Sequence, residues 1–462
     1  MIPVTVAELA AALNASLLQG EPNRRVAAVT TDSRQVPPGA VFFALKGERY
    51  DGHDFVPDAV AKGAAGVVVS RPVAALPGET VVLLVPNVLA ALGAFARYVR
   101  RQAGVLVIGV TGSTGKTSTK DIIAAVLGVR YRVCATQGNL NNEIGVPLTL
   151  LSLSPGDEVA VVEMAMRGAG EIAALARIAA PDAAVITNIG ETHLERLGSV
   201  AAIAAAKGEI LDYIPAAGFA VLHAESPYIF EQAKRCRGRV IFFGTSGAAT
   251  IRLTDYGPVG GGGRFAVAAG GLVTEYFIPL PGYHSALNAV AAIGVARELG
   301  LGPEEIQQGL ERVRLTGMRL EIRECGTLLV INDAYNANPA SMRAALGVLK
   351  EVGKKRRRVA VLGDMLELGS RAAAAHREIG AAAAAVADVV VAVGELAQGI
   401  AEGALAAGLS PRQVVTCPDA AAAVAVLKEL LRGDEAVLVK ASRGMRLERV
   451  AEALCTGGEA AQ

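Results

Sequence analysis

The chain has 462 residues, more than one ordinary hydrophobic core can serve, so two or three domains are expected. Its 45 basic and 44 acidic residues leave a formal net charge of +1, which excludes a global field drawing in nucleic acid or a membrane surface. The five cysteines (Cys134, Cys236, Cys325, Cys417, Cys455) are odd in number and lack a CxxC pair, which argues against a disulfide framework or zinc site and for a reducing cytoplasm.

In chain order, residues 1–8 show no basic leader, and no later run approaches the roughly 18 uncharged apolar residues of a membrane span, so a cytoplasmic protein with no membrane insertion is expected. Short apolar runs at 26–29, 41–45, 66–69 and 81–85, separated by turns, predict a small α/β domain over residues 1–85. A helical pattern at 88–101 leads into the apolar run 105–110, after which strand-like and helix-like segments alternate. The runs 159–162, 184–186, 220–222 and 240–243 suit a sheet covered on both faces, and Gly260 to Gly263 reads as a flexible turn between β segments. The pattern restarts near Gly317 with runs at 328–331, 359–362, 389–393 and 436–439 between alanine-rich helical stretches, a second open α/β sheet. The expected domains are therefore 1–85, 86–316 and 317–462.

The most informative stretch is Thr111-Gly112-Ser113-Thr114-Gly115-Lys116-Thr117-Ser118, placed between a strand and a helix. Its glycines let backbone N–H groups turn toward an anion, the helix adds its positive end, Lys116 can reach the β/γ-phosphates, and the Thr117 hydroxyl can hold Mg²⁺. A general phosphate loop wants glycine at position 110, where this chain has Val110. Glu163 ends an apolar run and is placed either to bind Mg²⁺ or to sit as a surface carboxylate; beside a phosphate loop the metal role leads. His193 in a loop reads more readily as structural or solvated, and Lys207 as a helix-surface lysine. The cluster 137–143, with Asn139, Asn141 and Asn142, suits either a polar substrate or an asparagine-rich turn. The basic run 354–358 reads as a solvated loop, and His53, His223 and His376 as structural.

Taken together, in this order, the motifs resemble the Mur ligase family. They are Thr31-Asp32-Ser33-Arg34, Ala44 to Arg49 with Asp51 to Phe55, the loop 111–118, Gly138 to Pro147, Ala206 to Ile210, Asn332 to Pro339 and Leu362 to Gly369. The resemblance implies a three-domain α/β architecture: a small N-terminal domain binding a UDP substrate, a central ATPase-like parallel sheet and a C-terminal Rossmann-like domain. It implies an ATP-dependent amide ligase of peptidoglycan precursor synthesis, a monomer joining D-alanyl-D-alanine to UDP-N-acetylmuramoyl-tripeptide through an acyl phosphate. The shortened loop is usual in that family, which accounts for Val110. Gly112, Ser113, Thr114, Gly115, Lys116, Thr117 and Ser118 would cradle ATP; Thr117, Glu163, His193 and a CO₂-carboxylated Lys207 would hold two Mg²⁺ ions. Asn288 matches the adenine contact, Arg319 and Asp333 match residues reaching γ-phosphate and ribose, and Ser33, Arg34 and Lys46 match the UDP grip, with Asn139 and Asn142 as further substrate contacts. The chain departs from the family pattern at Ala165, Arg196, Ser285 and Met318. A sibling ligase is disfavoured by the lack of an Asp-Asn-Pro-Arg-type motif, and a GTPase by the lack of Asn-Lys-x-Asp.

Overall fold

The computed structural model describes residues 1–456. Local chemistry sets the first elements. Thr5 caps the helix Val6–Leu13 in a reciprocal capping box with Glu8, and Asn87 caps Val88–Ala103, which ends on Gly104 in the left-handed region (φ +64°). Five strands make the N-terminal sheet in the order Ser16–Gln19, Val81–Leu84, Gly66–Val69, Val41–Phe43, Val29–Thr30, with only the first pairing antiparallel. Helix Val88–Ala103 buries Leu92, Phe95 and Val99 in a core that continues from Phe43 and Leu83 of this sheet to Val107 and Ile186 of the next. The two units are thus welded by shared apolar packing.

The central sheet has nine strands, in the order Leu272–Ile278, Gly262–Ala269, Ile251–Val259, Arg239–Gly244, Phe219–His223, Ala183–Ile186, Leu106–Thr111, Val159–Glu163, Val133–Ala135. The strands nearest its centre are buried along their whole length, as a sheet covered by helices on both faces requires. The sheet is parallel from Val133–Ala135 through to Ile251–Val259, as the resemblance implies, and carries an antiparallel edge. Ile251–Val259, Gly262–Ala269 and Leu272–Ile278 pair antiparallel with one another, and their tight links Gly260-Gly261 and Gly270-Gly271 all have positive φ. Gly262 and Gly263 belong to a strand rather than the expected turn. A Cβ on Gly263 would stand 2.5 Å from the Tyr256 ring, so that glycine serves close strand packing.

The C-terminal sheet runs Glu321–Cys325, Leu328–Asn332, Ala436–Lys440, Arg358–Gly363, Val389–Val393, Val414–Cys417, parallel except for the first hairpin, with a separate core on each face. The expectation that the cysteines build no disulfide meets one exception. Cys325 and Cys455, 130 positions apart, form a disulfide with Cα atoms 4.7 Å apart, while Cys134, Cys236 and Cys417 are free. The basic run is also less free than a solvated loop: Arg357 pairs with the fully buried Glu435 at 3.0 Å, and Arg358 lies 3.6 Å from Asp388. His53 and His376 are buried and hydrogen-bonded within their own domains, in keeping with structural roles. Among the described residues no helix is long and apolar enough to cross a membrane.

The end of the central domain is pinned where Asp121 accepts from the Thr316 N–H at 2.8 Å, just before the expected boundary. Across that boundary the Tyr256 hydroxyl donates to Glu351 at 2.8 Å and itself accepts from the Gly282 N–H at 2.9 Å.

Candidate active site

Strand Leu106–Thr111 lies between Val159–Glu163 and Ala183–Ile186, so chain crossovers leave its carboxyl end on both sides. That switch point opens a crevice where loops from three strands meet. The loop 111–118 fills it, with Gly112 (φ +149°) and Gly115 (φ +76°) in conformations L side chains rarely adopt, and Lys116–Leu127 begins the following helix. The loop is pinned by its neighbour. Thr114 N–H donates to Asn188 Oδ1 at 2.9 Å, Thr187 Oγ1 donates to the Thr114 carbonyl at 2.5 Å, and Ser113 Oγ donates to the Gly190 carbonyl at 3.1 Å.

A Cβ on Gly112 would collide with Thr187 Oγ1. Gly112→Ala is therefore expected to push the loop off its binding conformation. Strain of about 1–3 kcal/mol would then lower ATP affinity roughly 5- to 150-fold. Calorimetric titration of ATP checks this, and an unchanged affinity would remove the loop from the nucleotide site.

Around the loop the structure gathers most of the predicted residues. Glu163 is 1% exposed, which rules out the surface-carboxylate reading; it accepts from Thr117 Oγ1 at 2.5 Å and from Asn141 Nδ2 at 2.7 Å. Lys207 is also 1% exposed, against the surface-lysine reading. Its Nζ donates to the Gly112 carbonyl at 3.0 Å, and Lys116 Nζ donates to that same oxygen at 2.9 Å. Two amines sharing one carbonyl in a buried crevice cannot both hold a proton easily. Burial, then the nearby Lys116, pushes the Lys207 amine well below its ordinary range. Burial also lowers Lys116, opposed by Glu163 and reinforced by Arg319. His193 is lowered too, by burial first, with Glu367 opposing and the two lysines reinforcing, which favours the neutral imidazole. Its Nδ1 lies 2.7 Å from Glu367 Oε2.

From the far side comes Arg319, between Met318 (φ +60°) and Leu320 (φ +48°), a strained crossing held by Leu320 N–H on Asp333 Oδ1 at 3.1 Å. Its guanidinium lies 3.8 Å over the Tyr335 ring, and its Nη1 is buried with no hydrogen-bond partner among the described residues. Asp333 is held by Lys440 Nζ at 2.6 Å. Asn288 packs against the loop so closely that a Cβ on Gly115 would stand 2.8 Å from its Oδ1. Ser118 is on the first turn of the loop helix.

The remaining predicted residues are elsewhere. Ser33, Arg34 and Lys46 lie on the N-terminal domain: Arg34 is exposed and paired to Asp32 at 2.7 Å, the Ser33 carbonyl accepts from Lys62 at 2.9 Å, and the backbone of exposed Lys46 pairs with Asp51 in an isolated antiparallel β-bridge. Asn139 is exposed, and Asn142 Oδ1 accepts from Gly145 N–H at 2.9 Å, starting a helix. Asn141, their unchosen neighbour, makes the contact to Glu163. Lys440, Asn188 and Glu367 were also missed, since each acts on a residue far away in sequence, which no local pattern signals; Tyr335, under Arg319, was missed because stacking leaves no spacing motif.

The donor set suits Mg²⁺. Hard oxygens of Thr117 and Glu163 meet at the loop, the ligand type Mg²⁺ prefers beside phosphates.

A phosphate loop at a switch point, a buried carboxylate on its threonine, and an arginine reaching in from a second domain define a nucleotide-dependent phosphoryl-transfer enzyme. Three family models cover most of the chain: Mur ligase family, catalytic domain, at 25–100; Mur ligase middle domain at 110–296; and Mur ligase, glutamate ligase domain, at 318–443. The chain belongs to the Mur ligase family and is an ATP-dependent ligase forming C–N bonds. The UDP-N-acetylmuramoyl-tripeptide–D-alanyl-D-alanine ligase of Bacillus subtilis (strain 168) is 41% identical to it over 98% of this chain and 99% of that protein. A crystal structure of MurF from Acinetobacter baumannii superposes with a TM-score of 0.89 at 32% identity, covering 98% of this chain and 99% of that one. MurF ligase from Thermotoga maritima, solved in complex with ADP, gives 0.83 at 30% identity over 94% and 98%.

Proposed function

We propose that this chain joins D-alanyl-D-alanine to UDP-N-acetylmuramoyl-tripeptide at the expense of ATP, in peptidoglycan precursor synthesis. The observation that carries the chemistry is the convergence of Lys116, Lys207 and Arg319 from two domains on one phosphate loop whose Thr117 is bonded to a buried carboxylate. The full-length relationship to D-alanyl-D-alanine-adding ligases supports the substrates.

In the first step the tripeptide carboxylate attacks the γ-phosphorus and ADP leaves, giving an acyl phosphate. The dipeptide amine then attacks the activated carbonyl, loses a proton, and inorganic phosphate departs. Such chemistry asks the protein for alignment and charge neutralisation. Lys116 takes the β/γ-phosphates; Arg319, stacked on Tyr335, offers its unpaired Nη1 to the transferring group. Thr117, Glu163 and His193 would hold Mg²⁺, which when bound neutralises phosphate charge. Lys207, whose neutral amine burial favours, would be carboxylated by CO₂ and then serve a second Mg²⁺. Asn288 would contact the adenine and Asp333 the ribose, while Ser33, Arg34 and Lys46, with Asn139 and Asn142, would offer polar groups to the UDP-sugar and peptide. The domain limits 1–85, 86–316 and 317–462 divide these tasks.

Phosphate release from ATP is expected only when UDP-N-acetylmuramoyl-tripeptide and D-alanyl-D-alanine are both present. Release driven equally by a free amino acid, by folate, or by no acceptor would sink the assignment.

A further inference from the structure

We infer that Glu367 of the C-terminal domain is a positioning residue for His193: its carboxylate accepts the Nδ1 proton, leaving Nε2 as the nitrogen that ligates metal, so the central domain's metal site is completed by docking of the C-terminal domain. This rests on the reading of His193 as a metal ligand.

The contact joins residues 174 apart in sequence, at 2.7 Å. Both backbones are held in the left-handed region to make it, His193 at φ +57° and Glu367 at φ +63°, and neither is glycine. Non-glycine residues stay in that region where their surroundings impose it. The surroundings here form a built seam. Gly369 (φ +54°) fits so tightly that a Cβ would stand 3.3 Å from the Glu195 Cα, and Arg371 Nε lies 3.4 Å from Glu191 Oε2. A ligating histidine whose other nitrogen is bonded to a carboxylate has its tautomer and ring orientation set, and loss of such a partner typically weakens metal binding 10- to 100-fold. Docking does not rest on Glu367 alone, because Tyr256 with Glu351 and Arg371 with Glu191 also join the domains.

Mn²⁺ binding to the full-length chain with a non-hydrolysable ATP analogue, followed by electron paramagnetic resonance, tests this. Glu367→Ala should weaken Mn²⁺ about 10- to 100-fold, and Glu367→Gln, which keeps an acceptor oxygen, by less. Adding Glu367→Ala to His193→Ala should cost nothing further, and the metal-free melting temperature should not move, since the Glu367 side chain is 50% exposed. If His193→Ala weakens Mn²⁺ while Glu367→Ala binds it like the parent, the positioning role is rejected and the ligand role of His193 stands. If His193→Ala itself binds Mn²⁺ normally, the ligand reading fails and the positioning role falls with it.

Discussion

Replacing Lys116 with alanine is expected to lower kcat for ligation by about 10³-fold, the scale on which single preorganised charge-stabilising groups act. The loss should fall mainly on kcat. Backbone N–H groups of the loop and the helix terminus still bind the ground-state phosphates, whereas charge that builds between attacking and leaving oxygens loses its cation. Lys116→Arg should not restore the rate, because the amine lies beside Lys207 and Arg319 and a planar guanidinium cannot occupy that point. The amine's depressed pKa adds a pH signature. Bound phosphates favour the charged form, so ATP binding takes up a proton wherever the free amine is neutral, and ATP affinity should fall as pH rises through the depressed Lys116 pKa. Steady-state phosphate release at saturating substrates measures the first effect and calorimetry in buffers of different ionisation heat the second. A kcat within tenfold of the parent would remove Lys116 from the transition state.

Lys116 was legible in the sequence because its loop is a backbone device: glycine at 112 and 115 is dictated by φ values of +149° and +76°, and the residues between follow in fixed spacing. Glu163 was legible in part, since a carboxylate at the end of an apolar run must face the crevice or the solvent, and burial decided for the crevice. Lys207 was not. A lysine in an alanine-rich helix looks solvated, and only family resemblance lifted it before the structure buried it against Gly112. The asparagine cluster shows a finer limit: its members are chemically equal in sequence, and the turn alone decides that Asn141 reaches Glu163 while Asn142 starts a helix. Alternating apolar runs gave the strands of each parallel sheet, yet could not say that the chain turns antiparallel after Ile251, because a short run carries no direction. The Cys325–Cys455 pair and the Asp333–Lys440 pair, 130 and 107 residues apart, are products of the assembled fold and leave no spacing signature.

Lys207→Met is expected to lose ligation yet make the free chain more stable, a combination that separates a catalytic lysine from a structural one. The parent buries this amine with the Gly112 carbonyl as its hydrogen-bond acceptor, next to a second amine. A buried group whose charged form is disfavoured imposes a folding cost that a methionine of similar length avoids. The sign follows from proton counts. The folded amine titrates well below its ordinary 10.5, so between that depressed value and 10.5 the unfolded chain holds a proton the folded chain lacks, and parental stability rises with pH across the window. Lys207→Met should flatten that rise and gain most at the low-pH end, as denaturant titrations in bicarbonate-free buffer over a pH series would reveal. The same neutral amine is the form that reacts with CO₂, its lone pair forming the N–C bond as a proton leaves and a carbamate anion remains. Parental turnover in degassed buffer should therefore rise on adding bicarbonate. The Lys207→Met chain has no amine to modify and should not respond. Full turnover in that variant, or a variant less stable than the parent, would mean that Lys207 is held there for packing and not for chemistry.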